Sequence, residues 1–108
     1  MDISLIYVTC PNEESAVQIA ESLLKDRLVA CGNLVPAMKS IYHWEGELKH
    51  ETETLLILKT IAPLISRIQR KIAEIHPYEV PCIIEWQSSS INSEYRDWIL
   101  DQLKDSTL

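Results

Sequence analysis

Between Val29 and Lys59 the chain is extended on both sides of one turn signal, Glu45-Gly46-Glu47, and this long hairpin constrains the fold more than any other feature. On the near side, Val29 to Glu45, the run is interrupted by Gly32, Pro36 and the polar pair Lys39-Ser40. A proline cannot donate to a ladder, so a bent or bulged strand is expected there. On the far side, Glu47 to Lys59 changes character halfway. Glu47, Lys49, Glu51 and Glu53 alternate on one face, whereas Leu55-Leu56-Ile57-Leu58 is apolar on both faces, as a central strand requires. The return strand therefore has a solvated arm and a buried base.

At roughly 3.3 Å per residue this strand spans about 43 Å, against about 23 Å for the short β-branched run Ser4 to Cys10 that opens the chain. The outer half of the hairpin then has no partner in its own subunit, unless the near side is loop and the hairpin short. An isolated two-stranded ribbon is marginal in water, and this one carries Tyr42 and Trp44 on one face. A second copy of the chain is the simplest cover. An obligate homo-oligomer is expected, with hairpins and edge strands pairing across subunits.

Around the hairpin the periodicity changes. Asn12 can cap a helix from Glu13 to Asp26, whose inner face is Ala16, Ile19, Ala20, Leu23 and Leu24. Ala62-Pro63 opens a second helix with Leu64, Ile65, Ile68, Ile72 and Ile75 at helical spacing, and it ends before Pro77. A linker with two prolines, His76 to Pro81, leads into the strand Cys82 to Trp86. Tyr95, Trp98, Ile99 and Leu103 mark a third helix capped by Asn92 or Ser93. The order β α β β α β α, with right-handed crossovers and a central hairpin, predicts an α+β fold. It is the ferredoxin-like split βαβ sandwich, with a four-stranded antiparallel sheet and an extra C-terminal helix. At 108 residues and 12.4 kDa, one domain accounts for residues 1–108.

Ten basic and sixteen acidic residues give a net charge of −6 without any Lys/Arg cluster. Phosphate backbones and anionic lipid repel such a chain, so neither nucleic acid nor membrane is expected as a partner. The opening Met1-Asp2-Ile3-Ser4 has no basic region followed by a long apolar run, so a cytoplasmic location is expected. Three cysteines cannot all pair within one chain, and two glycines are too few for a Gly-rich phosphate loop.

Four blocks in order carry a family resemblance: Ala30-Cys31-Gly32-Asn33-Leu34-Val35-Pro36, Ser40-Ile41-Tyr42-His43-Trp44-Glu45-Gly46, Leu55-Leu56-Ile57-Leu58-Lys59-Thr60 and His76-Pro77-Tyr78-Glu79-Val80-Pro81. Together they resemble the successive signatures of the CutA family, the divalent-cation tolerance proteins. The resemblance implies a ferredoxin-like subunit built into a homotrimer by its hairpins, similar in architecture to the trimeric nitrogen-regulatory signal proteins. It also implies an association with copper and divalent-metal tolerance and, for animal members, with anchoring of acetylcholinesterase. It implies no catalysed reaction. Cys82, Gln87 and Ile91 depart from the family pattern. In members proposed to bind copper, a first-strand cysteine and a histidine of the His-Pro-Tyr block are implicated. By position only His76 carries over, since Val8 stands at the cysteine position and Cys10 lies two residues on.

In the split βαβ order the last strand lies antiparallel beside the first, so Cys10, His76 and Cys82 are expected at one end of the sheet. Two thiolates and an imidazole suit copper or another soft or borderline metal ion. The plainer reading makes both cysteines small buried hydrophobes and His76 a helix C-terminal residue. A ligand cleft is expected between subunits near Trp44, Glu51, Lys59, Tyr78 and Glu79. Glu51 and Lys59 lie about 26 Å apart on one strand and can meet only across a subunit boundary. The function expected is a trimeric divalent-cation (copper) tolerance protein that binds metal or a small ligand without catalysis and needs no cofactor to fold. The alternative is a trimeric signalling or scaffold module that docks a partner protein.

Overall fold

The computed structural model describes residues 3–104; residues 1–2 and 105–108, counted in the single-domain expectation, lie outside the described residues. Four strands, β1 (Ile3–Cys10), β2 (Cys31–Trp44), β3 (Glu47–Ile61) and β4 (Ile83–Gln87), form one sheet in the order β2-β3-β1-β4. Every neighbouring pair is antiparallel. Helices α1 (Glu13–Lys25), α2 (Ile65–Ile75) and α3 (Ser93–Leu103) complete the expected α+β architecture, and a 3-10 turn at Ala62–Leu64 leads into α2. Among the described residues no helix is long and apolar enough to cross a membrane.

Strand alternation builds the core. Ile6, Val8 and Cys10 of β1 and Leu56, Leu58 and Thr60 of β3 are buried on one face of the sheet. Ala16, Ile19 and Leu23 of α1 and Ile68 and Ile72 of α2 join them in a single cluster. Asn12 caps α1 as its sequence position predicts, its Oδ1 accepting from the Ser15 N–H at 2.8 Å. Gly32 lets α1 sit close to β2, because a Cβ there would stand 3.1 Å from the Ala20 Cβ. The Thr60 hydroxyl donates to the Leu28 carbonyl at 2.6 Å, which satisfies a buried polar group inside that core. On α3, Ile99 and Leu103 are buried in the same cluster. Asn92 holds its N-cap position but makes no side-chain capping bond.

The hairpin is as long as the sequence predicts. β1 pairs with β3 only over Thr54 to Ile61, so Glu47 to Glu53 pair with β2 alone. Glu45 (φ 50°) and Gly46 (φ 79°) make the turn, and two positive φ values in sequence are the signature of the type I′ hairpin. At the base of the arm Val35 pairs with Leu55 and Met38 with Glu53, leaving one extra residue on β2. This is the expected bulge, with Ala37 in the left-handed region at φ 59° beside Pro36. Its effect is geometric. Counting by twos from Val35 would turn Tyr42 and Trp44 to the helix side, whereas the extra residue returns them to the face that carries Glu51 and Glu53.

Candidate functional site

The face of the sheet opposite α1 and α2 is partly bare, and a cavity of about 930 Å³ opens on it between the hairpin arm and the segment after α2. Its floor is the arm, with Tyr42 and Trp44 from β2 and Lys49, Glu51 and Glu53 from β3. The opposite wall runs from Pro77 through Tyr78, Glu79 and Val80 to Cys82, with Thr9 of β1 at the back.

His76 holds that wall in place. It precedes a proline, which disfavours helical backbone, and its φ of −72° and ψ of 138° end α2. The ring then makes two backbone contacts: Nε2 lies 2.9 Å from the Thr9 carbonyl, and Nδ1 accepts the Tyr78 N–H at 3.0 Å. Because a carbonyl can only accept, Nε2 carries the proton and Nδ1 the lone pair. The imidazole, 8% exposed, is thus a clamp between β1 and the loop.

Two phenols meet two carboxylates in the cavity. The Tyr78 hydroxyl donates to Glu53 at 2.7 Å and the Tyr42 hydroxyl to Glu51 at 3.0 Å. Burial, and then the bond to Glu53, push the Tyr78 phenol well above its ordinary 10.0. The bond to Glu51 is the larger cause of the upward shift at Tyr42. Glu53 is itself buried, 9% exposed, although it sits on the arm side of the bulge.

Of the residues expected in a cleft, Trp44, Glu51, Tyr78 and Glu79 line this cavity. Lys59 does not. It pairs with Leu5 near the far end of β3, where its Nζ lies 3.2 Å from the Tyr95 hydroxyl and 5.2 Å from the centre of that ring. Within one chain the spacing along β3 keeps it from Glu51, as its sequence position requires.

The expected metal set of Cys10, His76 and Cys82 does not converge within one chain. All three lie at one end of the sheet, but Thr9 lines the cavity, so strand alternation turns Cys10 to the helix side, where it is fully buried. Cys82 stays on the cavity wall, and both ring nitrogens of His76 are engaged with backbone. Among the described residues no group of three or more His, Cys, Asp or Glu side chains is placed to hold a metal ion. Sequence reading missed Glu53 and Lys49 as cavity residues. Their signal was present in the alternating charges of the arm, which read as a solvated face.

Burial, and then the Glu53 carboxylate, raise the Cys10 thiol from 9.0 to about 11 and push the Cys82 thiol up as well. The folded chain therefore keeps the Cys10 proton at pH values where the unfolded chain has lost it. Stability should be intact below pH 9 and fall as pH climbs to about 11, by roughly 2–3 kcal/mol from this group. Urea unfolding across that range should show the fall, and Cys10→Ala should lessen it, the remainder coming from the Cys82 thiol and the Tyr78 phenol, which are also held up.

Comparison with known proteins places these features in a family. A family model described as CutA1 divalent ion tolerance protein matches residues 4–102. The Thermus thermophilus divalent-cation tolerance protein CutA is 39% identical over 95 residues, which cover 88% of this chain and 92% of that protein. The crystal structure of CutA1 from Oryza sativa superposes with a TM-score of 0.93 at 33% identity, covering 98% of this chain and 97% of that one. A structure titled as the periplasmic divalent cation tolerance protein CutA from Archaeoglobus fulgidus superposes with a TM-score of 0.91 at 33% identity, covering 94% and 99%. With the split βαβ sheet, the long bulged hairpin and these matches over nearly its whole length, the chain belongs to the CutA1 family of divalent ion tolerance proteins.

Proposed function

We propose that the chain acts as a homotrimer in divalent-cation tolerance, without catalysing a reaction, and holds a small ligand in the cavity where the arm of one subunit is covered by its neighbours. The observation that carries this reading is apolar surface on the hairpin and the bare sheet face. Trp44, Leu48 and Ile41 on the arm are 60%, 58% and 57% exposed, and Trp86 and Ile84 on β4 are 51% and 47% exposed. Trp44, Ile84 and Trp86 are on the bare face of the sheet and Ile41 and Leu48 on the opposite face of the arm, so apolar side chains are exposed on both sides of the ribbon, which marks it for cover rather than for solvent. A second and third copy of the same surface supply the cover that the ribbon lacks in one chain.

Copper or another divalent ion does not fit the residues of a single subunit as a resident group, because the described ligand-type side chains do not converge. No step is therefore routed through a bound ion. The link to cation tolerance rests on the family. Three free cysteines suit a reducing compartment, and we assign the cytoplasm on that ground.

Sedimentation equilibrium of the purified chain tests the assembly. A species near three times 12.4 kDa that persists on dilution is the expected result. A stable 12.4 kDa species overturns the reading.

A further inference from the structure

We infer that the bulge at Pro36-Ala37 aims the hairpin arm at neighbouring copies of the chain, so that its bend, and not the apolar side chains alone, decides assembly; this rests on the reading of the chain as a homotrimer. The bulge sits at the root of the arm. β1 supports β3 as far as Thr54, which pairs with Cys10, and across that same residue the β2–β3 ladder steps from Val35 with Leu55 to Met38 with Glu53. A bulge bends its strand and raises the local twist, so the direction of the unsupported ribbon is set where its support ends.

Two other elements hold the first pair of the arm. The Tyr7 hydroxyl of β1 lies 3.8 Å from the Met38 sulfur, and the Tyr78 hydroxyl donates to Glu53 at 2.7 Å. Pro36 and Ala37 are themselves exposed and take no part in the core. Ala37 nevertheless holds φ 59°, a conformation that is costly for a residue with a Cβ. Strain kept at an exposed position, with no packing to show for it, points to a role outside the subunit's own fold. The lever is long. From Glu47 to Glu53 the arm runs about 23 Å, so a change of roughly 20° at the root, the twist between neighbouring strands, carries its tip about 8 Å. Contacts between aromatic rings reach only about 7 Å between centres, so Trp44 near the tip would lose the surface it meets.

Deletion of Ala37 separates aim from surface chemistry. Without the extra residue Val35 can still pair with Leu55 and Met38 with Glu53, so Ile41, Trp44 and Leu48 keep their partners and faces, and Pro36 falls on an edge strand, which tolerates it. Sedimentation velocity over a dilution series compares the unaltered chain, the deletion and Ala37→Gly, with far-UV circular dichroism following the sheet. The deletion should keep the dichroism of the unaltered chain and assemble roughly tenfold or more weakly, the scale of losing one aromatic anchor. Ala37→Gly keeps the bulge and relieves its positive φ, and should assemble like the unaltered chain. Equal assembly of the deletion and the unaltered chain overturns the inference while leaving the trimer intact; an unaltered chain that sediments as a monomer removes the trimer reading itself. Should the deletion not fold, Ala37→Val decides, because a β-branched residue resists positive φ. Assembly weaker than that of Ala37→Gly then supports the aiming role, and equal assembly overturns it.

Discussion

Replacing residues 40–51 with an Asn-Gly turn that joins Lys39 to Thr52 should yield a folded monomer that binds nothing in the cavity. Lys39 and Thr52 are directly paired across the ribbon, so a two-residue type I′ turn can close the shortened hairpin there. The segment removed contributes no side chain to the core, whose members lie in β1, the helices, the connection before β2 and the base of β3. It does remove Tyr42, Trp44, Lys49 and Glu51 from the cavity and Ile41 and Leu48 from the exposed apolar surface. Sedimentation should shift from the proposed trimer to monomer in full. The melting temperature should fall and lose its dependence on protein concentration, since assembly no longer stabilises the fold by mass action. A shortened chain that still sediments as a trimer would show that the sheet edges, not the arm, hold subunits together.

His76→Ala should cost about 2–4 kcal/mol of stability, because it strands two buried backbone groups at once, the Thr9 carbonyl and the Tyr78 N–H. Alanine can replace neither contact. On the stability scale of a small domain, about 5–15 kcal/mol, this is a large fraction. The same change separates the clamp from a metal ligand. A clamp shows as a lower urea midpoint; a ligand shows as loss of copper(II) affinity at an unchanged midpoint. The first outcome is expected, since both ring nitrogens already have partners.

The element order was legible in the sequence because it rests on periodicities that the core enforces. Leu55-Leu56-Ile57-Leu58 reads as a central strand because β3 is flanked by β1 and β2 and faces the helices with Leu56 and Leu58. Asn12 reads as a cap because short polar side chains compete for the orphan N–H groups of a first turn. Trp44, Glu51, Tyr78 and Glu79, expected together in a cleft, all line the cavity; Trp44, Tyr78 and Glu79 come from the family blocks, and Glu51 lies outside them.

What the sequence concealed turns on two local events. The extra residue at Ala37 resets which side chains of the arm share a face, and a bulge of this kind leaves only a proline and a small residue as its trace. Alternation along β1 sends Thr9 to the cavity and Cys10 to the core, so a proximity argued from strand order could not say which thiol faces inward. Lys59 lies outside the single-chain cavity, as an expectation that set it against Glu51 only across a subunit boundary requires. It shares a strand with Glu51, and a rigid strand keeps its own residues apart.

Of the four strands of the sheet, β1, which lies between two others, comes first in the chain. β1 hydrogen-bonds on one side to residues 54–61 and on the other to residues 83–87, and the Ser4 hydroxyl reaches Glu85 at 2.8 Å. A nascent chain therefore carries this strand with one long edge open until residue 61 has been made and the other until residue 87. Folding must wait for translation, and contacts so distant in sequence make the search slow. During that wait the apolar Leu5-Ile6-Tyr7-Val8 run is a target for chaperones and a hazard for misassembly on crowded polysomes.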